Sequence, residues 1–125
     1  MKESDSSPPP SLAGLTERLL AFRDARDWRQ FHTVKNLMLS LALEAAEVME
    51  LAQWKTDEQV DAALADPVLR HRLEEECADV LLYLLLLAER TGIDLARAAE
   101  AKIAVNEARY PIDKSRGNAR KYNEL

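Results

Sequence analysis

Four acidic side chains pose the chemical question. Glu44 and Glu47 stand three residues apart in LSLALEAAEVMELAQW, where Leu, Ala, Val and Met otherwise keep the spacing of a helix built for burial. Residues three apart on a helix share a face, so both carboxylates point the same way. Glu76 and Asp79 repeat that spacing in EEECADVLLYLLLLAER, bordered around the helix by Leu73, Val80 and Leu84; spacing alone leaves Glu75 open beside Glu76. If the two helices pack antiparallel, four carboxylates converge. Unneutralised, they repel, and some take up protons. A hard divalent cation removes that conflict, and Mg2+ takes oxygen ligands, keeps several waters and commonly bridges to substrate phosphates. No Lys or Arg lies within four residues of Glu44 or Glu47. The plain alternative is a set of solvated surface acids, which describes Glu50, Glu74 and Glu75. A di-iron bundle is a third reading, but it requires Glu-x-x-His pairs. Here Arg29 and Val68 stand three residues before His32 and His71.

The elements that must position these acids are all helical. Ser11 caps a predicted first helix to about Asp24, with Leu12, Leu15, Leu19 and Phe22 at helical spacing. The aromatic loop RDWRQFHT follows, and Thr33 caps a second helix expected to reach about Trp54. A short helix lies within KTDEQVDAALADP, capped by Thr56 or Asp57 and stopped before Pro67. A long helix from about Val68 to Arg90 ends at Thr91–Gly92, and Asp94 caps a last helix that stops before Pro111. No strand pattern occurs. The expected fold class is all-α: an N-terminal tail at residues 1–10, polar, Pro-rich and disordered, a helical domain at 11–111, and a basic C-terminal tail at 112–125. The stretch DVLLYLLLLAER is apolar nearly all round, more than a small domain covers with its own elements, which points to burial against another subunit rather than a central core position. Cys77, in the same helix, reads as a small buried residue.

Composition bounds the rest. The chain has 125 residues, 47% of them hydrophobic, and a formal net charge of −5. That argues for a globular domain and against a general nucleic-acid binder, which shows a basic face. A single cysteine permits no intrachain disulfide and suits a reducing compartment. MKESDSSPPP lacks the apolar core of a secretory signal, and the apolar run from Val80 to Ala88 is too short for a bilayer, which needs about 20 residues. The expectation is a cytoplasmic protein with no membrane partner.

Taken together, LEAAEVMELAQW, EECADVLLYLLLLA and KIAVNEARYP resemble the all-α nucleoside triphosphate pyrophosphohydrolases of the MazG-like superfamily, whose metal motif is an ExxE…ExxD pairing. RDWRQFH before the second helix, QWKTD after it and a C-terminal RKYNEL are similar to the dCTP pyrophosphatase branch. The resemblance covers about residues 12–125. It implies a helical bundle assembled as a tetramer, and a Mg2+ site, with Mn2+ able to substitute, held by Glu44, Glu47, Glu76 and Asp79. It favours Glu76 over Glu75. It implies substrate contacts from Trp28, Arg29, Gln30, Phe31 and His32 in the loop, from Trp54 and Tyr83, and from Lys102 and Asn106 on the last helix. One position departs: animal dCTP enzymes carry a His on the first helix where this chain has Leu19, which bears on base preference.

The implied reaction is hydrolysis of dCTP, or a related or modified deoxynucleoside triphosphate, to the monophosphate and pyrophosphate. Water attacks the α-phosphorus, and Glu47 orients or deprotonates it. The alternatives are a pyrophosphohydrolase of other or broad specificity and a non-catalytic helical oligomer that binds nucleotides. Loss of one of the four acids would mark the latter, and none is lost.

Overall fold

The computed structural model describes residues 7–125. The first six residues of the expected N-terminal tail lie outside the described residues, and residues 7–10 are exposed without regular secondary structure. Six helices follow: α1 Leu12–Ala25, α2 Val34–Glu50, α3 Asp57–Ala63, α4 Pro67–Thr91, α5 Leu95–Arg109 and α6 Ile112–Ser115. Short 3-10 turns occur at Arg29–Phe31 and Tyr122–Glu124. No strand occurs among the described residues.

Side chains set most of the helix starts. Ser11 accepts the Gly14 N–H at 3.0 Å, Thr33 the Asn36 N–H at 3.1 Å and Asp94 the Arg97 N–H at 3.1 Å. Thr56 and Gln59 form a reciprocal capping box. Asp66 caps α4 with Pro67 in the first turn, so α4 begins just ahead of the expected Val68. Each such cap is worth about 1 kcal/mol. Gly92 ends α4 at φ 72°, a left-handed conformation that costs a glycine little.

Two boundaries differ from expectation. The second helix stops at Glu50 rather than near Trp54: Ala52 and Gln53 donate to the carbonyls three residues back, tightening the chain into a turn, and Trp54 adopts φ 67°. The C-terminal segment, expected as a basic tail, contains α6 and a 3-10 turn. It is held in part by Tyr122, which meets Tyr110 edge-on at 6.2 Å and lies under the Arg109 guanidinium at 4.7 Å. Aromatic and cation–π contacts hold a segment that hydrophobic periodicity does not reveal.

The chain forms two compact units, one reaching to Gly92 and a second spanning Ile93–Leu125. In the first, α4 packs against both α2 and α1. The inward stripe of α2 runs through Leu37, Leu41, Glu44, Val48 and Leu51, and that of α4 through Leu69, Leu73, Glu76, Val80 and Leu84. Leu37, Leu85, Leu86 and Ala88 are buried, as is one charged residue, Arg23 of α1. Cys77 is exposed, contrary to the expectation of burial. It follows Glu76 and falls off the α4 stripe, because the apolar face at this end of the helix is narrow. No helix among the described residues is long and apolar enough to cross a membrane.

Candidate metal and nucleotide site

The α2 and α4 stripes carry their acids inward. Glu44, Glu47 and Glu76 each offer a carboxylate oxygen, and these oxygens lie within 4.8 Å of one another. Glu44 and Glu76 are half-buried, whereas Glu47 sits at the exposed edge. Glu44 Oε2 and Glu76 Oε2 are each buried with no hydrogen-bond partner. A buried carboxylate oxygen without a donor is costly, and two of them beside a third carboxyl form an unsatisfied oxygen cage. Burial, then the charges of Glu47 and Asp79, raise the Glu44 carboxyl above its ordinary range. Glu76 is raised first by the hydrogen bond it can make to Glu47 only while protonated, then by burial and by the neighbouring charges. Asp79 stands outside the tight group, yet its charge bears on both Glu44 and Glu76.

Glu75 belongs to another network. It is exposed and lies 2.8 Å from the His71 ring, while Glu74 lies 3.9 Å from Arg70. The structure therefore separates Glu76 from its neighbours by direction alone, as successive residues on a helix face different ways.

Asp79 also lines a cleft between α1, the loop that follows it, and α4. The cleft encloses about 240 Å3 and is lined by Leu19, Phe22, Arg23, Trp28, His32, Asp79, Leu82, Tyr83 and Leu86. The loop is tied to α1 by the Trp28 N–H, which donates to the Arg23 carbonyl at 3.1 Å, after Asp27 turns the chain at φ 54°. Trp28 packs edge-on to Phe22 at 5.6 Å. His32 Nδ1 is buried without a partner. Burial, aided by the Arg23 charge, lowers the His32 pKa and keeps the ring neutral.

Three expected substrate residues, Trp28, His32 and Tyr83, thus share one wall system with Asp79. Arg29, Gln30 and Phe31 do not line the cleft. Gln30 Nε2 donates to the carbonyl and carboxylate of Asp27, each at 3.0 Å, and Phe31 is 61% exposed. Their contribution in the described unit is the shape of the loop. Trp54 is 93% exposed and also lies off the cleft. Lys102 and Asn106 are exposed and four residues apart on α5, within the second unit. Arg23 was not anticipated. The available signal was a charge four residues after Leu19, on the apolar stripe of α1.

Known proteins resemble this chain over most of its length. The profile of the MazG-like family matches residues 39–125. dCTP pyrophosphatase 1 from Rattus norvegicus is 44% identical over 119 residues, covering 95% of this chain and 70% of that protein. The Homo sapiens protein of the same name is 43% identical over the same share of each. The crystal structure of a pyrophosphatase from Archaeoglobus fulgidus DSM 4304 superposes with a TM-score of 0.76 at 35% identity, covering 86% of this chain and 99% of that one.

Proposed function

Because the chain belongs to the MazG-like family, we propose that it is a nucleoside triphosphate pyrophosphohydrolase that converts dCTP to dCMP and pyrophosphate and so clears unwanted nucleotide from the pool. The observation that carries this reading is the group of three carboxylates that bring oxygens within 4.8 Å of one another, two of these carboxylates each keeping a buried oxygen without a donor, close to an aromatic-lined cleft. At about 240 Å3 the cleft is smaller than the ~300–1,000 Å3 typical of pockets that engulf a whole drug-sized ligand. It suits a pyrimidine base and part of its sugar, leaving the phosphates outside, toward the acids.

The oxygen-only donor set and the unsatisfied oxygens fit a hard divalent cation, Mg2+ with Mn2+ able to substitute, held by Glu44, Glu47 and Glu76 with Asp79. When bound, it would offset phosphate charge and acidify a coordinated water. Glu47, the exposed member, orients and deprotonates the water that attacks the α-phosphorus, and the bond to the pyrophosphate oxygen breaks. Trp28 and Tyr83 offer aromatic faces to the base, with stacking worth ~1–3 kcal/mol. Trp54 offers a further aromatic contact to the substrate, and Arg29, Gln30 and Phe31 hold the loop that bears Trp28 and His32.

Outward-facing Met38, Leu39, Leu43 and Met49 of α2 are 53%, 56%, 68% and 67% exposed. So large an apolar face on one helix supports an assembly of several copies, a tetramer, in which other subunits cover it. We place the protein in the cytoplasm, where its substrate is made and used. A second reading, a dCTP analogue bearing an apolar substituent, is favoured by Leu19 and Leu82, which give the cleft an apolar wall.

The test is a panel of triphosphates with Mg2+, with monophosphate and pyrophosphate both measured. dCTP should yield equal amounts of dCMP and pyrophosphate, and nothing in EDTA. Release of dCDP and orthophosphate would place attack at the wrong phosphorus and refute the mechanism.

A further inference from the structure

Arg23 is the one charged residue buried outright among the described residues, at 5% exposure. It lines the cleft beside Leu19, Phe22, Trp28 and His32. Its Nε donates to Asp24 Oδ1 at 2.8 Å and its Nη1 to Glu89 Oε2 at 3.4 Å. A guanidinium carries five N–H groups, so these two bonds leave the larger part of its donor capacity unused. Nη2 makes no hydrogen bond among the described residues. Two carboxylates fix the plane of the group and compensate its charge, which leaves a rigid, oriented set of donors in a largely apolar cleft.

Cytosine presents two adjacent acceptors, N3 and O2, and one donor, the N4 amino group. Uracil and thymine present a donor at N3 and an acceptor at C4. Nearby, the neutral His32 ring retains a nitrogen lone pair, and its Nδ1 has no partner.

We propose that Arg23 determines base specificity: its free N–H groups donate to N3 and O2 of cytosine while the His32 ring accepts from N4. This rests on the reading of the substrate as dCTP. Uracil in the same place opposes its N3–H to the guanidinium and its O4 to the imidazole lone pair. Sites built on hydrogen bonds reject analogues lacking the matching group far better than apolar pockets reject a change of size.

The experiment has three arms on the full-length protein. Pyrophosphate release from dCTP and dUTP gives the ratio of kcat/KM values for wild type, Arg23→Lys and Ser11→Ala. Calorimetry in EDTA compares dCMP, dUMP and 3-deaza-dCMP, which lacks the N3 acceptor. Melting temperatures report folding. Arg23→Lys keeps the charge but not the planar donors, and should lower the dCTP-to-dUTP ratio about tenfold or more. Ser11→Ala removes the cap of α1, 3.0 Å from the Gly14 N–H and away from the cleft, and should lower the melting temperature while keeping the ratio. Wild type should bind 3-deaza-dCMP about tenfold or more weakly than dCMP, a result that needs no variant to fold. An unchanged ratio in Arg23→Lys, an equal fall in Ser11→Ala, or equal binding of 3-deaza-dCMP and dCMP overturns the proposal. If wild type releases no pyrophosphate yet prefers dCMP to dUMP and to 3-deaza-dCMP, the catalytic reading fails and the role of Arg23 stands. If wild type releases pyrophosphate but binds all three monophosphates alike, the reverse holds.

Discussion

Glu47→Gln should abolish most turnover and yet stabilise the metal-free protein. The substitution keeps the shape of the side chain and removes its charge. In the native protein, oxygens of Glu44, Glu47 and Glu76 lie within 4.8 Å of one another. Two unit charges at that distance repel by about 1 kcal/mol in a water-like dielectric, the appropriate limit for the exposed Glu47. The new amide also supplies N–H donors beside Glu44 Oε2 and Glu76 Oε2, which have none. A satisfied hydrogen bond adds about 1 kcal/mol. Together these should raise the melting temperature in EDTA by roughly 8 °C for a domain of this size. Mg2+ acts in the opposite sense. At a hundred times its Kd it stabilises the wild type by about 2.7 kcal/mol, and the variant, short of one ligand, gains less. The order of the two melting curves should therefore narrow or reverse on adding Mg2+.

The pH dependence follows from the same contacts. The Glu44 and Glu76 carboxyls are raised in the folded protein, by burial and by Glu47 respectively as the leading causes. A group raised on folding contributes stability that is fully present below its unfolded pKa and lost as pH rises through the folded value. Wild type in EDTA should thus lose stability as pH rises through and above the ordinary glutamate range, and Glu47→Gln should lose less. The assay is thermal melting of both proteins across pH, in EDTA and in Mg2+, with turnover measured alongside. A variant that melts well below wild type in EDTA and responds to Mg2+ as wild type does would make Glu47 a structural residue and refute the reasoning.

Trp54→Ala should raise KM for dCTP about tenfold, the loss of one aromatic stacking contact, with Mg2+ affinity little changed; unchanged KM with a large loss of metal affinity would instead make Trp54 a support for the acids. His32, held neutral chiefly by burial, contributes stability present above its unfolded pKa of about 6.5 and lost as pH falls through the folded value. His32→Gln should flatten the melting-temperature profile in that acidic range, and an unchanged slope would show that the ring is not responsible.

The helices were legible because their signals are local: Ser11, Thr33, Thr56 and Asp94 cap the elements they were expected to cap, and Gly92 ends α4. The end of α2 was not, since Leu51–Trp54 contains good helix formers and the turn there depends on how the chain must reach α3. The order in the C-terminal segment escaped because it rests in part on Tyr110, Arg109 and Tyr122 meeting across distant sequence positions. Cys77 was misjudged because a small residue in an apolar run says little about which way it faces. Among the site residues, Trp28, His32, Tyr83 and Asp79 share the cleft, whereas Trp54 is exposed and lies off it.

Arg23, Glu44 and Glu76 have one feature in common: each occupies an inward position on a helix stripe where an apolar residue would stabilise the fold more. A buried charge is tolerated only when a partner compensates it. Arg23 has its partners inside the chain, in Asp24 and Glu89. It is therefore complete as folded, and its spare donors can face a neutral base. Glu44 and Glu76 have no cationic partner among the described residues and stand beside Glu47. That difference separates the two halves of the site. On the proposed reading, the half that would hold a neutral ring is finished by protein charges alone, with Arg23 already paired to Asp24 and Glu89. On the proposed reading, the half that would meet phosphates is short of positive charge, and a cation would supply it. Binding of the base should therefore survive chelation of the metal, whereas binding of the phosphates should not.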